Sequence, residues 1–366
     1  MSRVVIIGST HAFSGKSAAI LGLAKLLRHH HLNVMFGKPI GSCPPGHCPP
    51  NGLDEDLAFI AKTLNLSPET MPPMVARMDD ATLRNHIHHP PTVAPVLPLQ
   101  TYCQSYEGDL LLLEGPADLH EGFLMNLSLA QMAAGLDAQV LLVSRFTGTA
   151  VVDGLLVAQQ QLGSRLMGVL FNDVPPDQIA VIQTEVTPFL AQRGIPTLGI
   201  LPSHSTLRSI SVEELVNQLQ AEVLCCPDRL DEILIETFVI GAMSVNSALK
   251  YFRRSEHKAV ITGGDRTDIQ LAALETASAC LILTGKHPLD PRIRQRAEEL
   301  EVPILLVDLD TFTTSERIEQ VFGHVRLHET VKVRCIESLM SANFDFAQFC
   351  QRLQLTPPLV GSRTAP

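Results

Sequence analysis

Apolar residues along this chain gather in short unbroken runs. At 4–7, 33–36, 110–113, 139–143, 166–171 and 197–201 the runs are continuous, the pattern of parallel strands covered on both faces. Amphipathic stretches separate them at 16–30, 54–64, 127–134, 151–162 and 177–192. Strand and helix in alternation predict an α/β layer around a mostly parallel sheet. Residues 41–52 and 70–99 are rich in proline, which predicts a loop for the first and an irregular arm for the second.

The pattern pauses at Cys225-Cys226-Pro227 and then resumes on a smaller scale. Strands are expected at 237–240, 259–262, 280–283 and 304–307, with helices at 244–252, 268–277, 291–300 and 314–322. Three regions follow: a first domain over 1–222, a smaller α/β domain over 227–330, and a partly disordered C-terminal extension over 331–366, whose end carries Pro357, Pro358 and Pro366. A length of 366 residues suits two domains.

Charge and composition narrow the partners. Acidic residues outnumber basic ones, 38 to 28, for a net charge of −10. Such a surface repels phosphate backbones, so nucleic acid is not expected as a main partner. No apolar run is long enough for a membrane span, and Met1-Ser2-Arg3 leads straight into a strand without a signal-peptide pattern. The expected compartment is the cytoplasm, where the eight cysteines stay reduced. Cys43, His47 and Cys48 form one loose pair among prolines, which reads more simply as loop than as a zinc site. His29-His30-His31 falls at a helix end, where cationic or polar residues are favoured anyway.

The first strand carries the chemistry. Val4-Val5-Ile6-Ile7-Gly8-Ser9-Thr10-His11-Ala12-Phe13-Ser14-Gly15-Lys16-Ser17 is strand, small-residue loop, helix start. A phosphate loop requires that order: backbone N–H groups close on the phosphates and the helix adds its positive end. Ser14, Gly15, Lys16 and Ser17 are therefore the expected nucleotide contacts, with Lys16 on the β- and γ-phosphates and Ser17 on Mg²⁺. The usual first glycine is Thr10 here, and Gly8 stands two residues earlier.

Gly8-Ser9-Thr10 and Ser14-Gly15-Lys16-Ser17, with Gly37-Lys38-Pro39-Ile40 after the second strand, resemble the dethiobiotin-synthetase branch of P-loop proteins. Closer still is the N-terminal regulatory part of long-form phosphotransacetylases, whose second module is a DRTGG domain. The resemblance spans about residues 1–330, and acetyltransferase activity is not expected from this chain alone. It implies ATP or another nucleoside triphosphate, with Mg²⁺. It implies that Lys38 matches a lysine facing a reacting carbamate; a solvated strand-end lysine is the alternative. Asp54, or its neighbour Asp56, matches an acid near the metal; a helix N-terminal acid is the alternative. Asn172 matches an asparagine that reads adenine; a turn residue is the alternative. Glu114 ends an apolar strand, a position suited to holding Mg²⁺ directly or through water. The chain departs from the synthetase pattern at Pro116-Ala117-Asp118, where glycines are usual, and at His11 from the glutamate usual in phosphotransacetylase-type loops and from the extra lysine of dimer-bridging ATPases.

In the second module a strand runs into Gly263-Gly264-Asp265-Arg266 ahead of a helix. Small residues and one fixed cation at a helix start suit an anion. The stretch resembles the DRTGG motif, so these four residues are ligand-binding candidates; an Asp265–Arg266 pair at a dimer contact is the alternative. Three functions stay open: a nucleotide-binding regulatory or sensor protein working as a homo-oligomer with a metabolic enzyme or signalling ligand, an ATP-dependent ligase that activates a carboxylate or carbamate, and an accessory subunit of a phosphate acetyltransferase.

Overall fold

The computed structural model describes residues 3–41, 55–89, 94–323 and 329–356. The chain divides into two compact units, Met1–Ser203 with Val333–Pro366, and His204–Lys332.

Six strands build the sheet of the first unit: β1 (Arg3–Ser9), β2 (Val34–Gly37), β3 (Leu110–Glu114), β4 (Gln139–Arg145), β5 (Leu166–Val174) and β6 (Thr197–Pro202). Their order is β2-β3-β1-β4-β5-β6, with every neighbouring pair parallel. Each of the six apolar runs is a strand, because residues on both faces are covered: Val5, Ile6 and Ile7 have no exposed surface, nor do Leu110 to Leu113. After β1 the chain builds one flank of the sheet and then crosses to the other. The carboxyl end of β1 is thus a topological switch point, where open α/β sheets hold their ligands. Ile7 lies opposite Glu114, so β1 and β3 end side by side. Helix α1 (Lys16–His29) follows the loop that leaves β1.

Several elements differ from expectation. The arm 70–99 contains a helix over Asp80–His88 and the start of another over Leu97–Ser105. Asp79 caps the first by accepting from the Thr82 amide, and prolines outside a helix interior do not prevent it. The expected helix 177–192 is interrupted by a π-helical turn over Ile182–Val186. Asp54, Cys43, His47 and Cys48 lie outside the described residues.

Residues 333–356 belong to the first unit. Ile336 and Met340 press on α1 at Gly22, where a Cβ would come within 2.5 Å of Met340 Cγ. Phe344 bridges to Gly199 on the outer edge of β6, and the Asp345 amide donates to the Leu198 carbonyl at 2.7 Å. Asp345 then caps helix Phe346–Leu353 by accepting from the Gln348 amide at 2.9 Å.

The second unit carries β7 (Glu222–Cys225), β8 (Thr237–Ile240), β9 (Lys258–Gly263), β10 (Ser278–Thr284) and β11 (Ile304–Val307), in the order β7-β11-β10-β9-β8. All neighbours are parallel except β7 and β11. Alternate residues serve opposite faces. Val260, Leu281 and Ile304 pack with Ala248, Ile269 and Ile293 of the crossover helices, while Ile261, Ile282 and Leu305 pack with Leu215, Leu219 and Ile318. The structural division falls at Ser203, ahead of the expected break near Cys225. The Cys-Cys-Pro sequence looks like a linker, but Cys225 is buried in a strand paired with β11.

Candidate functional site

The loop between β1 and α1 is held in a shape that few residues tolerate. Gly15 sits at φ 88° and Phe13 at φ 56°, both left-handed. Gly15 opens α1, and its own hydrogen occupies the place where a Cβ would stand 2.2 Å from Asn172 Nδ2. Asn172, on β5, donates Nδ2 to the Ser14 carbonyl at 2.9 Å. The structure therefore sets Asn172 against the loop backbone, where it braces the turn.

Lys16 is buried at the loop's end. Its Nζ donates to Ser9 Oγ at 2.9 Å and to the Ala117 carbonyl at 3.2 Å. Ser9 Oγ donates to the same carbonyl at 2.8 Å. Burial pulls the lysine below its usual range, an effect that the Glu114 and Glu121 carboxylates oppose and Lys38 assists. Glu114 ends β3 between two cations and a hydroxyl. Ser17 Oγ donates to Glu114 Oε2 at 3.4 Å, and Lys38 Nζ stands 3.7 Å from Glu114 Oε1. Lys38 is buried too and lies 4.0 Å from Asp56 Oδ2. Lys16, Ser17, Lys38 and Glu114 thus converge at one end of β1 and β3, with Asp56, the near neighbour weighed beside Asp54, at its margin.

These residues suit a phosphate and a hard cation. Ser14 Oγ is buried in the loop without a hydrogen-bond partner, an uncommon state for a native hydroxyl. The Ser17 hydroxyl and Glu114 carboxylate are the hard oxygen donors that Mg²⁺ selects. Among the described residues, no group of three or more His, Cys, Asp or Glu converges on a metal site. In the run His29-His30-His31, His30 stacks on Phe346 with ring centres 4.1 Å apart.

The loop after β3, marked in the sequence only by the departure at Pro116-Ala117-Asp118, contributes directly to the site. Glu121 accepts from the Ala117 amide, and Asp118 Oδ1 accepts from the amides of His120 at 2.7 Å and Glu121 at 2.9 Å. Partial burial raises the Asp118 pKa, but those amide bonds outweigh it and hold the carboxyl below its usual range. An aspartate two and three residues ahead of such amides is a readable turn signal. The Ala117 carbonyl has no such signal, being backbone.

In the second unit, Gly263 ends β9 and Gly264 donates its amide to the Thr284 carbonyl at 2.8 Å. Gln270 is buried and donates Nε2 to the carbonyls of Gly263 and Gly264 at 2.9 and 3.1 Å. Arg266 holds Asp268 at 3.1 and 3.2 Å and the Met243 carbonyl at 3.0 Å. Its close ion pair is with Asp268, and Asp265 adds a weaker attraction. The turn Gly263 to Arg266 is therefore pinned from β10 and from the helix Thr267–Leu274 behind it.

Among the described residues no helix is long and apolar enough to cross a membrane. Phosphate acetyltransferase of Synechocystis is 25% identical over 366 aligned positions, covering 94% of this chain and 51% of that enzyme. The enzyme of the same name from Nitratidesulfovibrio vulgaris is 26% identical, over 96% of this chain and 52% of its own. The chain spans about half the length of the curated relatives it matches. A solved structure of the CBS and DRTGG domains from the regulatory region of Clostridium perfringens pyrophosphatase, complexed with its activator diadenosine tetraphosphate, is 21% identical, with a TM-score of 0.28 over 51% of this chain and 81% of that one. The DRTGG-domain model matches residues 214–321, which fall within the second unit. The AAA-domain model matches residues 3–211, more than half the chain, and the protein belongs to that family.

Proposed function

We propose that the chain is a nucleotide-binding regulatory protein of the phosphotransacetylase N-terminal type. A nucleoside triphosphate, with ATP the first choice, occupies the loop of the first unit, and its presence is communicated to a ligand or partner held by the DRTGG unit. The convergence of Lys16, Ser17 and Glu114 at the ends of β1 and β3 carries this reading. Lys16 neutralises phosphate charge in a site where burial strengthens the interaction. Ser17 and Glu114 would hold Mg²⁺, which neutralises phosphate charge when bound. Asn172 keeps the loop in its left-handed turn and stays a candidate for reading the base. Asp54 is retained as a candidate acid near the metal. Gly263, Gly264, Asp265 and Arg266 form the turn offered to the second ligand. The homo-oligomeric state, the cytoplasmic setting and the metabolic-enzyme or signalling partner belong to the same proposal.

One observation favours a second reading, ATP-dependent activation of a carboxylate or carbamate. Lys38 is buried beside Glu114 with its charge directed into the site, a costly placement for a merely solvated lysine. A third reading, an accessory subunit of a phosphate acetyltransferase, draws on the relatives' identity and the half-length match.

Calorimetry with ATP, with and without Mg²⁺, tests the leading reading. Wild type should bind and Lys16→Ala should not. Glu114→Gln and Ser17→Ala should lose most of the Mg²⁺ dependence and keep more of the metal-free binding. Equal ATP affinity in wild type and Lys16→Ala sinks the assignment. Product analysis with candidate carboxylates separates ligase from regulator.

A further inference from the structure

The P-loop lysine is already occupied by its own chain. Lys16 Nζ bonds Ser9 Oγ and the Ala117 carbonyl, and Ser9 Oγ donates to that carbonyl as well. Three groups from three places in the sequence thus form one closed knot. Ala117 is fixed there from its other side, since Glu121 accepts from the Ala117 amide. Asp118 completes the turn by accepting from the amides of His120 and Glu121. This is the stretch where Pro116-Ala117-Asp118 departs from the glycines of the synthetase pattern.

We infer that the segment after β3 is an autoinhibitory latch, in which the Ala117 carbonyl occupies the Lys16 ammonium until a phosphate displaces it, and in which Glu121 is the positioning residue. The inference rests on the nucleotide reading of the loop.

Three observations give the latch its form. An ammonium donates three hydrogen bonds, and two of Lys16's go to Ser9 and Ala117. A phosphate reaching for the full charge therefore competes with that carbonyl directly. Charge decides the competition: a dianionic oxygen cluster outbids a neutral carbonyl for a buried cation. The released segment also has defined limits. Glu114 holds one end in the sheet. At the other end Gly122 is left-handed at φ 82° and Met125 is fully buried, and Leu119 between the two ends is seated in the core, so the motion is a local release of the turn at Ala117 and Asp118. Phe123 and Leu124 directly follow Gly122 and are 68% and 50% exposed, which places an apolar tip beside the end of the turn that phosphate would free. Nucleotide occupancy is thereby reported at the surface.

The latch lowers apparent affinity by the fraction of molecules that are open. Removing it should therefore tighten binding, the reverse of what damage to a binding site does. The test uses the full chain and four variants. Ser9→Ala cuts the knot from β1, and Glu121→Ala frees the Ala117 amide. Glu121→Gln keeps an oxygen acceptor and should behave as wild type. The chain contains no tryptophan, so Phe123→Trp installs a single reporter at an exposed position. Without ligand, hydrogen exchange over residues 116–122 should be faster in Ser9→Ala and Glu121→Ala than in wild type. With Mg-ATP, exchange over the same residues should rise in wild type, and Phe123→Trp emission should shift. Affinity should tighten roughly three-fold in Ser9→Ala and Glu121→Ala if the latched form holds about two-thirds of the population. Unchanged ligand-free exchange in both alanine variants overturns the latch. So does ATP binding that leaves the emission and the variants' affinities at wild-type values, an outcome that keeps the nucleotide site. Absence of ATP binding in wild type and in both alanine variants removes the nucleotide site, and the phosphate-released latch with it.

Discussion

Asn172 donates its side-chain amide to the carbonyl of Ser14 across 2.9 Å, from a strand 158 residues further along the chain. Through that bond the P-loop is fixed by β5 as well as by the strand it leaves. Gly15, next to Ser14, stands at φ 88°, so the brace and the left-handed turn occur together.

The first expectation concerns this pair. Asn172→Ala removes one part-buried hydrogen bond, a loss of about 1 kcal/mol. ATP affinity should fall roughly five-fold by calorimetry, because the loop must now be ordered on binding. Gly15→Ala should cost about 1–2 kcal/mol in stability through the left-handed backbone alone. Wild-type affinity in Asn172→Ala would remove the brace from the binding account.

Parts of this site were legible in the sequence and parts were not, for identifiable reasons. The six strands of the first sheet announce themselves because burial on both faces demands unbroken apolar runs. Lys16, Ser17 and Glu114 are legible because their positions follow from where strands end. The Ala117 carbonyl has no residue identity to read, since any amino acid supplies one. The brace by Asn172 depends on which strand lies beside the loop, which is sheet order and not local pattern. Residues 333–356 are amphipathic helices of ordinary spacing, and spacing does not say which unit such helices cover. Asp80–His88 was obscured by flanking prolines, though Asp79 carries a legible cap.

Replacing Lys16 separates stability from function. Burial lowers the lysine's pKa in the folded state below its ordinary 10.5. The unfolded chain thus holds that proton more firmly, and the penalty is present in full below the folded value. Stability gained from deprotonation rises with pH through the window up to 10.5. Lys16→Met removes the penalty, so it should melt about 2–4 °C higher near neutral pH, a shift equivalent to about 1 kcal/mol. The advantage should shrink toward alkaline pH while nucleotide binding is lost at every pH. A melting point at or below wild type at neutral pH would show that the bonds to Ser9 and Ala117 outweigh desolvation.

Gln270 offers a test confined to the second unit. Its amide is buried and bonds the carbonyls of Gly263 and Gly264. Gln270→Leu fills similar space but leaves two acceptors without their donor. The cost should be about 1–3 kcal/mol, read as a lower denaturation midpoint for the second unit. Ligand response of that unit should suffer along with it, because the same carbonyls shape the turn carrying Asp265 and Arg266. ATP binding to the first unit should be untouched. A midpoint equal to wild type would mean that solvent satisfies the turn.

The last expectation follows from the chain crossing back to its first unit. A truncated chain ending near Cys226 retains Lys16, Ser17, Glu114 and Asn172, so by residue content it should bind nucleotide. It loses Ile336, Met340, Phe349 and Leu353, all buried in the first unit. Each such side chain contributes about 1.5–3 kcal/mol on burial. Their combined loss is comparable with the whole stability of an ordinary domain, about 5–15 kcal/mol. It also uncovers α1 at Gly22, on the helix that begins with Lys16. The truncated chain should therefore melt far below the full protein, or fail to fold, and bind ATP poorly. Supplying residues 329–356 by fusion to Ser203 through a flexible linker should restore both properties. Circular dichroism melts and ATP titrations of the two chains decide the matter. A truncated chain that melts and binds like the full protein would show that the C-terminal helices cover the unit without supporting it.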